Sequence, residues 1–284
     1  MRLPGGVPGT GTLRKDFAFR TITGALELAL AENDKHLSVP EQVTRVLAQV
    51  VDHIAGEKAD LEQVAGLCVG DRQYLMQQLA IALGYDQQWL NAVCVHCDET
   101  YDFQLRLSEL PVKEAGEGFP EVAIDTAQGL LRMHLPTGAD QARICTIDDS
   151  EEARRLLLTN CMIDVDTETA AVKLAELSEE DFLAIDTAME DIAPEPVTML
   201  QAECPSCHHQ NQVELDSYHL LRHNPSSIFS EIHTLAWHYH WSEAEILAMP
   251  RKRRARYLAY IDRARGVNSH NVSELLTGGG DGLS

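Results

Sequence analysis

Cys94-Val95-His96-Cys97 and Cys204-Pro205-Ser206-Cys207 are the two stretches on which the reading of this chain turns. Sliding the sequence 110 positions along itself lays one on the other. Asp71-Arg72-Gln73-Tyr74-Leu75 through Cys97 then covers Asp181-Phe182-Leu183-Ala184-Ile185 through Cys207 without a gap. In that register Leu67 falls on Leu177, Leu75 on Ile185, Leu79 on Met189, Phe103 on Val213 and Leu105 on Leu215. An offset four residues longer places Thr23-Gly24-Ala25 on Thr137-Gly138-Ala139, each after an alternating stretch. Such a period is too long for a solenoid and suits two fused copies of one small α+β unit.

A C-x-x-C in a tight turn lets both sulfurs point at one ion, and two such knuckles supply the four soft ligands that zinc prefers. The separation between the pairs is far longer than in a zinc ribbon. The four thiolates can therefore meet only if the second unit is inserted between the knuckles or the units pair about a pseudo-twofold axis. The expectation is a structural zinc on Cys94, Cys97, Cys204 and Cys207 that joins the units, the alternative being two knuckles without metal. His208 and His209 read either as replacement ligands or as turn residues. Cys204-Pro205-Ser206-Cys207-His208 fits a c-type haem attachment sequence, but Asp98 stands where the first knuckle would need its histidine. A thioredoxin-like pair would open a helix, whereas His208 to Leu215 reads as turn and strand. Cys68, Cys145 and Cys161 lie in mostly apolar surroundings and read as core residues.

Outward from the knuckles, the predicted architecture is α+β. Residues 1–12 are Gly/Pro-rich and read as a flexible N-terminus, and 13–115 form the first unit. That unit starts with a strand near Phe17 to Thr21. A helix follows, carrying Val43, Val46, Leu47, Val50, Val51 and Ile54, with Pro40 in its first turn. Asp71 is expected to cap a second helix, stopped at Gly84. Tyr101, Phe103, Leu105 and Leu107 alternate as in a half-buried strand. Residues 116–225 form the second unit, entered through a turn at Gly116 to Pro120. Its helices open at Asp149 or Ser150 and at Ser178, the latter with Asp181 as a capping box. Residues 226–267 are helical and have no repeat partner. Ile232, Leu235, Ala236 and Tyr239 make an apolar stripe, Ser242 with Glu245 forms a second capping box, and Pro250 restarts the chain. Residues 268–284 read as a flexible tail.

The formal charge of −21 argues against broad nucleic-acid or anionic-membrane binding by the body of the protein. No apolar signal-peptide run follows Met1 and no segment is long and apolar enough to span a bilayer, which places the chain in the cytosol when made. Seven cysteines, an odd number, fit metal binding better than a disulfide framework. There is no phosphate loop, G-x-G-x-x-G, G-x-S-x-G or H-E-x-x-H, and His233, His238 and His240 read as packing and surface residues. The expectation is therefore a protein that is not an enzyme.

Against the acidic background stands Arg251-Lys252-Arg253-Arg254-Ala255-Arg256. Together with Trp241 these residues are candidates for binding a partner, either an acidic protein or a nucleic acid. The competing reading is a basic face laid on the chain's own acidic body. The run from Ile232-His233 through Tyr239-His240-Trp241-Ser242-Glu243 to Met249-Pro250, with the Arg cluster and Tyr257-Leu258 after it, is similar to the C-terminal segment of baseplate-type proteins of contractile tails and related injection systems. Asp71-x-x-Tyr74-Leu75 followed by Cys94-x-x-Cys97 and an alternating strand resembles the core of T4-type baseplate hub assembly proteins. The resemblance implies a non-enzymatic role in hub assembly, as a departing chaperone or a retained component of the tail, with baseplate or tail structural proteins as partners. A zinc-ribbon adaptor that touches nucleic acid through the basic helix is the other functional class.

Overall fold

The computed structural model describes residues 1–32, 36–126, 129–215, 217–218 and 226–266. β1 (Arg2–Pro8) pairs antiparallel with β2 (Leu13–Phe19), so the expected flexible terminus is in fact a strand with Leu3 fully buried. The reason is chemical. The amides of Gly5 and Gly6 each donate at 2.8 Å to one carboxylate oxygen of Asp71. A Cβ on Gly5 would stand 2.6 Å from that carboxylate, so the glycines allow close backbone approach to a buried charge.

α1 (Gly24–Ala31) is capped by Thr23 and α2 (Val39–Val50) by a Ser38–Glu41 capping box. The predicted continuation of this helix to Ile54 is a strand instead. β3 (Val51–Ile54) pairs with β2, and Ala55 and Gly56 at φ 55° and 76° turn the chain into β4 (Glu57–Lys58). The sheet order is β1-β2-β3-β4. α3 (Leu61–Ala65) is capped by Asp60, and α4 (Val69–Ala82) has Cys68, not Asp71, at its N-cap. Asp71 lies inside the first turn with its carboxylate committed to the N-terminal glycines.

The hairpin of β5 (Gln87–Val93) and β6 (Thr100–Arg106) follows, then a 3-10 turn at Leu107–Glu109 and the short β7 (Val112–Lys113). Gly116 to Pro120 form the expected turn, which buries Phe119. A second hairpin, β8 (Glu121–Thr126) with β9 (Gly129–His134), precedes α5 (Gly138–Ile144), α6 (Ser150–Cys161), α7 (Thr167–Ala175) and α8 (Glu179–Ile192). Asp149 caps α6, and the Ser178–Asp181 box caps α8. β10 (Glu195–Pro196) pairs back with β7, and β11 (Met199–Glu203) forms a hairpin with β12 (Gln210–Glu214). Three helices close the described chain: α9 (Ser226–Tyr239), α10 (Glu243–Leu247) and α11 (Arg251–Ala264). The expected tail at 268–284 lies outside the described residues.

One apolar core is built on Leu3, Phe17, Leu47, Ile54, Leu75 and Leu79. A second gathers Leu131, Met133, Leu158, Phe182 and Ile185. Leu235, Ile246 and Ile261 make a small separate cluster between α9, α10 and α11. Apolar burial at roughly 25 cal/mol per Å² makes the first two the main source of stability. The cysteine hairpins lie in a fourth cluster that neither large core includes.

Candidate metal centre

Each knuckle is the turn of a β-hairpin, and the backbone makes the two alike. Cys94 N–H donates to Glu99 O and Asp98 N–H to Cys94 O at 2.9 and 3.0 Å; Cys204 N–H donates to His209 O and His208 N–H to Cys204 O, both at 2.9 Å. Asp98 and His208 close the turns in the left-handed region, at φ 58° and 60°. His208 is thus a backbone position in a turn, with its Nδ1 2.6 Å from Glu203. His209 stacks on His96 with ring centroids 5.6 Å apart. Neither histidine belongs to the group of potential ligands around the cysteines.

The hairpins face each other and bring the four sulfurs together. Cys94 Sγ lies 3.5 Å from Cys207 Sγ, and Cys97 Sγ 3.8 Å from Cys204 Sγ. All four sulfurs fall within 4.8 Å of one another. A tetrahedral zinc with Zn–S bonds of about 2.3 Å has S···S edges of about 3.8 Å, so the residues fit the ion. Cys94 and Cys204 are fully buried, while Cys97 is exposed and Cys207 intermediate. Burial works against ionising Cys94, but the amides of His96 and Cys97 and the neighbouring thiols outweigh it and bring its thiol down to about 6. At Cys97 the Glu99 amide favours the thiolate, yet the adjacent cysteines and desolvation prevail and push it up to about 12. One thiolate forms readily and further negative charge is resisted, the frustration that a divalent cation relieves. A closed set of four cysteines leaves no position for substrate, so the centre suits structure rather than catalysis.

Two residues outside the expected site, Asn211 and the strand residue Tyr101, lock the hairpins across it. Asn211 accepts from the Val95 amide at 3.0 Å and donates to the Tyr101 hydroxyl at 3.0 Å and to His209 O at 3.1 Å. Tyr101 in turn donates to Ala202 O at 3.1 Å. The signal was present: the register that lays Cys94 on Cys204 also lays Tyr101 on Asn211.

Among the described residues one further group, His134, Asp140 and Cys161, has ligand atoms within metal-binding distance. Its groups are already engaged. Both ring nitrogens of His134 face carbonyl oxygens, of Leu135 at 2.8 Å and Asn160 at 3.0 Å, and Asp140 accepts from Thr137 and Arg143.

Compared with known families, the chain matches the model of the T4 bacteriophage base plate protein over residues 10–220. The chain belongs to the T4 base plate protein family. No curated protein and no solved structure matches it. The matched span takes in both knuckles and, apart from Leu3, the buried residues of both large cores, and it ends before α9.

The basic helix of the chain divides into two faces. Arg254 is fully buried, donating to Glu27 at 2.5 Å, Glu231 at 2.9 Å and Met249 O at 2.9 Å. Arg251 pairs with Glu27 and lies over the Tyr85 ring. These two arginines serve the chain's own acidic body, which removes Arg254 from the expected partner-binding set. Trp241 is half-buried between Tyr239 and Tyr257, with ring centroids at 4.5 and 4.7 Å. It is a packing residue of the C-terminal cluster. Lys252, Arg253 and Arg256 face outward beside Tyr260. No helix among the described residues is long and apolar enough to cross a membrane.

Proposed function

We propose that this chain is a non-enzymatic assembly component of a phage baseplate, in which a zinc ion on Cys94, Cys97, Cys204 and Cys207 clasps two related units. The observation that carries the baseplate role is the family match across residues 10–220. The clasp is supported by the convergence of the four sulfurs and by the Asn211–Tyr101 lock around them. Common descent of the two units is supported by the matching knuckle turns, by the equal lengths of α4 and α8, and by the Thr23 and Thr137 helix caps. When bound, zinc would supply crosslinking free energy of roughly 10 kcal/mol or more, enough to decide whether the hairpins stay joined.

The outward Lys252, Arg253 and Arg256 form the docking face for an acidic baseplate or tail subunit, in a chain whose own charge is −21. Co-expression with tail structural proteins followed by pull-down tests this role. The expected result is recovery of a tail subunit, weakened by Arg253→Glu with Arg256→Glu. Failure to recover any tail subunit, together with steeply salt-dependent nucleic-acid binding abolished by the same charge reversals, would favour the nucleic-acid adaptor instead.

A further inference from the structure

The C-terminal helices repeat a joint found inside the body of the protein. In the body, Cys68 bridges antiparallel to Thr137: Gly138 N–H donates to Leu67 O and Val69 N–H to Pro136 O, both at 3.1 Å. In the C-terminal region, Pro250 bridges antiparallel to Thr23: Gly24 N–H donates to Met249 O and Arg251 N–H to Ile22 O, both at 3.2 Å. Thr137 and Thr23 are the N-caps of α5 and α1, and Cys68 and Pro250 those of α4 and α11. Each joint is thus two helix starts paired through one short ladder.

The likeness extends to side chains. A five-residue helix precedes each entering cap, α3 with N-cap Asp60 and α10 with N-cap Ser242. Arg72 and Arg254 stand at the same place after their caps, and both are fully buried. Each lies against the glycine of the receiving Thr-Gly: a Cβ on Gly138 would stand 2.2 Å from Arg72 Cζ, and one on Gly24 3.0 Å from Arg254 Nη1. The two joints differ in what surrounds them. Arg72 donates to the carbonyls of Val64 and Pro40 within the packed body. Arg254 reaches Glu27 across to α1, and α9 to α11 carry their own apolar cluster, which shares no residue with the large cores.

We infer that the Thr23–Gly24 cap is a docking slot for an arginine-carrying helix start, that α9 to α11 fill it as a detachable plug, and that the plug of a second copy of the chain can take the same place. A small cluster with its own core, joined to α1 by a backbone ladder, the Glu27 ion pairs and the packing of Leu247 on Gly24, can leave without tearing the body's core. This is the structural requirement for exchange between copies.

Charge reversal in full-length chains tests the exchange. Glu27→Arg and the triple variant Glu231→Arg with Arg251→Glu and Arg254→Glu each oppose their own slot, the Glu231 change keeping position 254 paired with α9, yet the two chains are complementary at both joints when mixed. The expected result is a one-to-one complex on light scattering, formed only in the mixture, and a return to the unaltered chain's behaviour when all four changes share one chain. Two folded variants that ignore each other on mixing would overturn the proposal. A second measurement needs no variant: amide exchange of α9 to α11 in the unaltered chain is expected to occur as one unit and faster than that of α4. Protection as strong as that of α4 would equally overturn it.

Discussion

Asn211 donates a hydrogen bond of 3.0 Å to the hydroxyl of Tyr101, which stands at the equivalent place in the facing hairpin. If the two hairpins descend from one, their equivalent positions have diverged into a donor and an acceptor that meet across the cysteines. Both side chains are buried, so each partner removed leaves a polar group without its match. Tyr101→Phe is expected to cost about 1–2 kcal/mol and Asn211→Ala more, because Asn211 also holds the Val95 amide and His209 O. Urea unfolding of both single variants and the double variant measures the coupling. Simple additivity would mean that the pair does not act as a lock.

Gly138 marks a second sensitive point. With a Cβ 2.2 Å from the buried Arg72 guanidinium, Gly138→Ala forces either the helix start or the arginine to move. The expected loss is about 3 kcal/mol, the upper end of overpacking costs. Gly24→Ala, whose Cβ would meet its neighbours at 3.0 Å, is expected to lose less. Thermal melting of the two variants orders them, and equal or inverted losses would contradict the packing described.

Asp71 sets a pH dependence. Burial raises its carboxyl above the ordinary 3.8, only partly countered by the amides of Gly6 and Gly5. A folded-state value above the unfolded one means that the fold binds the proton more tightly. Asp71's contribution is therefore fullest below pH 3.8 and is lost as pH rises through the higher folded value. Unfolding free energies measured across that window should fall with rising pH more steeply in the unaltered chain than in Asp71→Asn. Parallel slopes would contradict the assignment.

Glu27 carries two arginines, one of them fully buried. Glu27→Gln leaves the Arg254 guanidinium with Glu231 as its remaining charged partner, at an expected cost of about 3 kcal/mol. Limited proteolysis should then release the α9 to α11 segment before it cuts the body. Digestion patterns identical to those of the unaltered chain would count against Glu27 as the latch.

The sequence is most legible where the chemistry is local. The Ser178–Asp181 and Ser242–Glu245 boxes, the knuckles and the C-terminal apolar stripe all involve residues close in sequence, and all stand in the structure as expected. The misreadings came from long-range pairing. Gly5 and Gly6 look flexible until Asp71 takes their amides, and Val51 to Ile54 continue the helical spacing of α2 until β2 draws them into a sheet. Arg254 looks like any surface cation in a basic run. Only its approach to Glu27, from the opposite end of the chain, shows that it is buried.

The clasp itself is tested most directly by the metal content of the purified, reduced, full-length protein, measured by elemental mass spectrometry alongside its thiol titration. The account expects one zinc per chain, lost together with the ordered pairing of both hairpins in Cys94→Ser or Cys204→Ser. A folded, reduced protein with a zinc stoichiometry near zero, or one cysteine variant whose other hairpin remains undisturbed, would contradict it.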